Sequence, residues 1–159
     1  MNQTLTPALL AGLILSLAAP SGNRDRDVAI VVHKSTLMDN ISMSELKQMF
    51  LADKARWSDG KRVVLVGKEV GQPEHDAVLK IVYGMSEGDF KRYFIQAGFT
   101  GKTQTPPKLL GSASAVRGTV AATPGAVGYM RATEVDDSVK VLKVDGFAPG
   151  DAGYRIRVE

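Results

Sequence analysis

Two uninterrupted apolar runs, set apart by segments of helical pattern, constrain the fold of this chain more than any other feature of its sequence. Val28 to Val32 is a run of five apolar, mostly β-branched residues, and Arg62 to Val66 ends in a second such run. Continuous runs of this kind are typical of strands buried on both faces of a parallel sheet. Because helical segments follow both runs, the pattern predicts an α/β fold with a mostly parallel sheet flanked by helices.

Capping residues and apolar periodicity predict four helices. The first begins with a capping box in which Ser42 and Glu45 satisfy each other's free amides. The second begins with Pro73, which suits a first helical turn because no intrahelical partner is lost there. The predicted helices are Ser42 to Leu51, Pro73 to Tyr83, Ser86 to Gly98, and Ser112 or Ser114 to Thr123. Further strands are predicted at Ala126 to Met130, Val139 to Val144 and, at an edge, Tyr154 to Val158.

The first 22 residues have the character of an export signal. They contain no charged side chain, and they include an apolar run from Ala8 to Ala19. This run ends in small residues that predict signal-peptidase cleavage after Ala18. The run is too short to span a bilayer, and the usual positive residue near the start is absent. We expect a signal peptide at residues 1–18, a polar linker at 19–26, a single domain at 27–159, and a periplasmic or secreted protein. A buried amino-terminal helix or an uncleaved anchor are the alternatives.

Composition narrows the classes of function. The chain has no cysteine, so thiol catalysis, disulfides and thiolate metal sites are excluded. Its net charge of +3 comes from scattered bases, so no nucleic-acid arm is present, although a mildly basic surface suits an anionic ligand. The two histidines, His33 and His75, lack partners at metal-binding or triad spacing. We therefore predict no metal site, no cofactor, no nucleic-acid partner and no enzymatic activity.

Three polar turns are candidates for ligand binding. The strand-to-helix turn from Val66 to His75 contains Lys68, Gly71 and Gln72, and the following helix directs free amides and a positive dipole end toward the turn. The alternative interpretation is an ordinary strand-to-helix turn, in which the glycines are present only because the backbone conformation requires them. A second turn contains Ser112 and Ser114, which on the alternative interpretation are simple helix caps. Ser35 lies in a third polar cluster, at the carboxyl end of the first strand, where parallel sheets collect ligands.

The order of these elements resembles a known family. Val31 to His33, Met43 to Phe50 and the tryptophan turn Arg56 to Gly60 follow one another as in phosphate ABC-transporter substrate-binding proteins, and Thr123 to Tyr129 resembles their T-P-G-A/S-I/V-G-Y segment. The resemblance covers about Val28 to Met130. It implies a single periplasmic-binding-protein-like lobe, without the second lobe of the family. It also implies that inorganic phosphate or another small oxyanion is the ligand, and that a membrane transporter or envelope protein is a partner.

The chain departs from the family where phosphate is normally held. Lys68 stands in place of an arginine, the serine and threonine hydroxyls of the turn are missing, Pro73 removes an amide, and Glu69 and Glu74 add negative charge. Lys68, Gly71, Gln72, His75, Ser35, Ser112 and Ser114 remain the predicted ligand-binding residues. The alternative hypothesis is a degenerate lobe that acts as a protein-interaction module in the cell envelope.

Overall fold

A computed structural model of the protein describes residues 24–103 and 105–159. The predicted signal peptide and most of the predicted linker lie outside these residues. The described part contains strands β1 Val28–Val32, β2 Asn40–Ile41, β3 Val64–Lys68, β4 Lys108–Leu110, β5 Ala126–Arg131 and β6 Lys140–Val144. Its α-helices are α1 Met43–Phe50, α2 Pro73–Val78, α3 Glu87–Phe99 and α4 Ala113–Ala122. No described helix is long and apolar enough to span a membrane.

The six strands form one mixed sheet in the order β2-β6-β1-β5-β3-β4. Three of the five pairings are parallel, namely β2 with β6, β5 with β3 and β3 with β4. The central strand β1 runs antiparallel to both of its neighbours, β5 and β6. The mostly parallel α/β sheet predicted from the sequence is confirmed, and β1 is its one reversed strand.

Two hydrophobic clusters cover the two faces of the sheet. The larger cluster joins α1, α2 and α3 to one face through fully buried side chains such as Leu46, Val78 and Ile30. The smaller cluster packs α4 on the other face, where Val116 and Val120 contact the layer that contains Val66. Because β1 is buried along its whole length, both faces are covered at the centre of the sheet.

The helix starts follow the predicted caps. The hydroxyls of Ser42, Ser86 and Ser112 each accept the amide proton of the residue three positions on, as helix caps do. The second helix continues past Val78 as a π-helical turn, Leu79–Tyr83, which ends at Gly84 in the left-handed conformation. The third helix extends one residue beyond Gly98 and is capped by Thr100.

At the ends of the sheet, one predicted strand is wrong and one observed strand was not predicted. Tyr154 to Val158 is not a strand: it forms a single bridge between Asp27 and Arg157, and Tyr154 and Ile156 are buried in the larger cluster. Its alternation therefore reflects core packing rather than sheet pairing. Strand β4 was not predicted, because only three residues follow Pro106 and Pro107 before Gly111.

The two segments that carry the family resemblance contact each other. Trp57 is buried in the tryptophan turn, and its indole N–H donates to the carbonyl of Gly125 at 2.8 Å. Trp57 therefore anchors the turn before β3 to the turn before β5.

Candidate functional site

The carboxyl ends of β3 and β4 bring two of the three candidate turns together. The strands are parallel and in register, with Lys68 opposite Leu110. The amide of Glu69 then donates to the carbonyl of Leu110 at 3.0 Å, and this bond joins the segment that follows β3 to the end of β4. The turn from Lys68 to Gln72 and the turn from Gly111 to Ser114 therefore form one edge of the sheet, which we call the carboxyl edge.

Lys68 lies on the face of the sheet that α4 covers. Side chains alternate along a strand, and Val64 and Val66 pack in the α4 cluster, so Lys68 two residues further on projects to the same face. It is only 5% exposed. No carboxylate of the described residues forms an ion pair with its ammonium. A buried lysine without a counter-ion favours the binding of an anion beside it.

The amino terminus of α4 starts from the same edge. Ser112 is the N-cap, and its hydroxyl oxygen accepts the amide proton of Ala115 at 3.1 Å. The exposed Ser114 hydroxyl lies 3.2 Å from that of Ser112. Ser112 is therefore a helix cap, as the alternative interpretation holds. The first amides of α4 also have no intrahelical partner and are directed out of this helix end. A ten-residue helix with this free end attracts negative charge.

Two glutamates of the turn differ in their surroundings. Glu69 is exposed, and its carboxylate lies beside Gly111, within 3.3 Å of the position that a β-carbon would take there. This places an unpaired carboxylate next to the start of α4. Glu74 is buried instead, and it accepts from Arg131 Nε at 2.6 Å. The negative charge of Glu74 is thus balanced within the protein, whereas that of Glu69 faces the candidate site.

Gly71 and Gln72 complete the turn that leads into α2. Gly71 has φ of +85°, a conformation that glycine adopts without strain. Gln72 is the N-cap residue of α2, and its side chain makes no capping hydrogen bond. Both residues lie at the carboxyl edge, although α2 itself is only six residues long and packs on the face opposite to α4.

His75 lies in the interior. It is 1% exposed, with Nδ1 2.9 Å from the Tyr129 hydroxyl and Nε2 2.8 Å from a carboxylate oxygen of Glu87. Burial raises the pKa of the Tyr129 hydroxyl well above its usual range, although a hydrogen bond from the Lys68 amide acts in the opposite direction. Both ring nitrogens therefore have partners inside the protein, and the ring holds α2 against β5 and α3.

Ser35 lies at the other end of the sheet. Because β1 is antiparallel to β5, its carboxyl end meets the amino end of β5, and the amide of His33 donates to the carbonyl of Ala126. The Ser35 hydroxyl is 2.8 Å from His33 Nδ1. The structure thus brings Lys68, Gly71, Gln72, Ser112 and Ser114 to one edge, and it places Ser35 on the opposite edge and His75 inside.

Sequence reasoning missed the supporting roles of Tyr129 and Arg131. Tyr129 lies within the segment that carries the family resemblance, and Arg131 ends the same strand. Their partners, His75 and Glu74, are more than 50 residues away in the sequence. Only the pairing of β3 with β5 places them together, and no local pattern signals that pairing.

Solved structures with the same fold are phosphate-binding proteins. The chain is 22% identical to the substrate-binding protein assigned to a phosphate ABC transporter of Clostridium perfringens, solved with bound phosphate; the match has a TM-score of 0.63 and covers 78% of this chain and 47% of that one. PstS from Borrelia burgdorferi matches with 12% identity and a TM-score of 0.64, over 84% of this chain and 55% of that one. An ABC-type phosphate transport receptor from Vibrio cholerae matches with 16% identity and a TM-score of 0.56, over 78% and 48%.

These likenesses establish the fold of the chain. The chain spans about half the length of the solved structures that it matches, as expected for one lobe. The resemblance predicted from the sequence is therefore confirmed at the level of the fold. No protein-family model matches the chain.

Proposed function

We propose that this protein is a non-enzymatic binding protein that captures phosphate or another small oxyanion at its carboxyl edge. The anion lies between the ammonium of Lys68 and the amino terminus of α4. The hydroxyls of Ser112 and Ser114 donate to its oxygens. Gly71 and Gln72 form the neighbouring wall, and binding is non-covalent. The phosphate-binding proteins that share the fold support this class of ligand.

The observation that carries the proposal is the buried, unpaired Lys68 on the α4 face. The stem of Lys68 is buried, whereas its ammonium is not one of the buried polar atoms without a partner and therefore reaches solvent, where it can attract an anion. Among the described residues no carboxylate forms an ion pair with this ammonium, and the positive end of the α4 dipole lies at the same edge, together with the exposed carboxylate of Glu69. A bound oxyanion would compensate for the ammonium and the helix end together.

The cellular setting follows from the sequence and the family resemblance. The signal-like segment at residues 1–18 directs the protein to the periplasm or the exterior, and a membrane transporter of the ABC type receives the anion from it. The fold neighbours named as transport receptors and substrate-binding proteins support this setting. In this account His75 and Ser35 bind no ligand: His75 supports the turn from within, and Ser35 caps a turn at the opposite edge.

Calorimetric titration of the full chain with phosphate, with sulfate as a second anion, tests the proposal. We expect saturable one-to-one binding that Lys68→Met weakens about tenfold or more, since a hydrogen bond to a charged group contributes about 1.5–3 kcal/mol. Methionine keeps an unbranched apolar stem in the buried position, so the variant is expected to fold. Lys91→Met, on the outer face of α3, removes the same charge at a 63% exposed site and serves as the control.

Two results would contradict the proposal. Absence of heat at millimolar phosphate would exclude oxyanion capture by this chain. Equal weakening by Lys68→Met and Lys91→Met would mean that only the overall charge attracts the anion, and that the carboxyl edge holds no site.

One observation favours the alternative function, a protein-interaction module. Ile95 and Phe99 stand one helical turn apart on α3, and they are 62% and 87% exposed. Exposed apolar side chains on one helix face mark a contact surface for another protein. A chain that ignores phosphate but loses a bound envelope protein on Phe99→Ser would support this second function instead.

A further inference from the structure

A second cleft opens at the opposite edge of the sheet. It has a volume of about 370 Å³ and lies at the amino ends of β3 and β4, which contribute Val64 and Lys108 to its wall. The segment after α1 and the segment between α3 and β4 close its sides. Because the length of β3 separates it from Lys68, this cleft is distinct from the site at the carboxyl edge.

The lining of the cleft carries charge of one sign. It includes five basic side chains and no carboxylate, and the five are Lys54, Arg56, Arg62, Lys102 and Lys108. Two of them have carboxylate partners behind the lining: Lys54 pairs with Glu45, and Lys102 pairs with Asp53 at 2.6 Å. Clefts lined by a single sign of charge concentrate the electrostatic field and attract counter-ions.

Arg56 and Arg62 stand directly opposite each other. They form an isolated antiparallel bridge, in which like charges on facing residues are unfavourable. The Arg56 guanidinium donates to the carbonyl of Gly60 at 2.8 Å, and no described carboxylate lies within 4 Å of it or of the Lys108 ammonium. An anion beside Arg56 and Lys108 would offset their positive charge.

The floor of the cleft is apolar. Met49, Val63 and Leu65 line it and belong to the larger hydrophobic cluster or pack against it. A cleft with an apolar floor and a cationic rim fits a ligand with both characters, and its volume lies within the range of small-molecule sites, about 300–1,000 Å³.

We infer that this cleft binds a small organic anion, in particular a phosphate monoester with an apolar substituent. The phosphate lies between Arg56 and Lys108, where the Arg56 guanidinium offers donors to its oxygens. The apolar substituent covers Met49 and Leu65. The inference is independent of oxyanion capture at the carboxyl edge, because it uses none of the same residues.

Titration of the full chain with phenyl phosphate tests the inference. We expect saturable binding of phenyl phosphate. Its affinity should exceed that of inorganic phosphate for the same protein, since the ring buries apolar surface that phosphate lacks. Lys108→Ala and Arg56→Gln should each weaken phenyl phosphate binding about tenfold, as expected for the loss of one charged hydrogen bond. Two variants are used because Arg56→Gln also removes a contact that stabilises its turn.

The control is Lys80→Ala, which removes one positive charge from an exposed position paired only with Glu159. Phenyl phosphate should bind this variant as it binds the wild-type chain. Three results would overturn the inference: no saturable binding, binding that neither cleft variant changes, or equal weakening by Lys80→Ala. Binding that both cleft variants leave intact would assign phenyl phosphate to the carboxyl edge.

Discussion

The position of Lys68 depends on the aromatic ring beneath the preceding residue. Tyr129 lies against Gly67 so closely that a β-carbon at position 67 would be 2.6 Å from the tyrosine hydroxyl oxygen. The same hydroxyl lies 2.9 Å from Nδ1 of His75. The ring thus fixes the backbone just where β3 turns toward α2, and Lys68 is held on the opposite face.

Gly67→Ala tests this arrangement. The added methyl group overlaps the ring, so either Tyr129 or β3 must shift, and we expect a loss of about 1–3 kcal/mol in the free energy of unfolding. Gly118→Ala is the matched control, since no atom lies within 4 Å of a β-carbon there and alanine favours the helix by about 0.5–1 kcal/mol. Urea unfolding followed by circular dichroism measures both. Equal stabilities of the two variants would show that Tyr129 does not constrain the turn.

Glu69 is the residue whose charge opposes binding at the carboxyl edge. Its carboxylate lies near Gly111 at the start of α4, where the account places the anion. Glu69→Gln removes this repulsion while keeping the shape, so we expect phosphate affinity to rise several-fold in calorimetric titration. Asp59→Asn, which removes a carboxylate at the other end of β3, should leave the affinity unchanged. An affinity that Glu69→Gln does not raise would place the anion away from this turn.

At the scale of elements, the proposed site gives the N-cap of helix α4 both a structural and a binding role. Ser112 caps the helix by accepting the amide of Ala115, and it also faces the proposed anion. Aspartate caps a helix as well as serine does and interacts favourably with its dipole. A carboxylate at this position would nevertheless repel a bound oxyanion.

Ser112→Asp separates the two roles. We expect the free energy of unfolding to stay within about 0.5 kcal/mol of the wild-type value, because the cap is preserved. Phosphate binding should be lost. Ser86→Asp, the same change at the N-cap of α3, should leave phosphate binding unchanged, although it lowers stability because the Ser86 hydroxyl donates to the carboxylate of Asp89. If Ser112→Asp still binds phosphate as the wild-type chain does, the anion does not lie at the start of α4.

The elements show which parts of the fold the sequence predicts. Strand β1 and helix α1 were predicted because continuous apolar runs and a capping box are local signals. Strand β4 has three residues, too few for a periodic pattern. The direction of β1 has no local signal at all, and this direction moves Ser35 to the far edge of the sheet. Each candidate turn was therefore predicted separately from local sequence. Which turns lie together at one edge depends on strand pairings that only the structure supplies.

On the scale of the whole molecule, the described lobe offers the anion one open edge. The solved neighbours are about twice as long, and the region that matches them is a single sheet with its helices. An anion held at one edge stays in contact with water, so its attraction to Lys68 and α4 is screened by salt.

Salt dependence follows from this geometry. Raising the ionic strength from about 10 to 150 mM shortens the screening length from about 30 to 8 Å. We expect phosphate affinity to fall several-fold over this range in calorimetric titrations at constant pH. An affinity that does not change with salt would mean that the anion is enclosed, in contradiction to capture at an open edge.

Amide mapping of the full, nitrogen-15-labelled chain during a phosphate titration tests the central claim most directly. The account predicts saturable shifts in the amides of Lys68 to Gln72 and of Ser112 to Ala115, with one common dissociation constant. The amides of His33 to Thr36, at the opposite edge, should remain unchanged. Shifts confined to that opposite edge, or no saturable shift at any amide, would contradict oxyanion capture between Lys68 and α4.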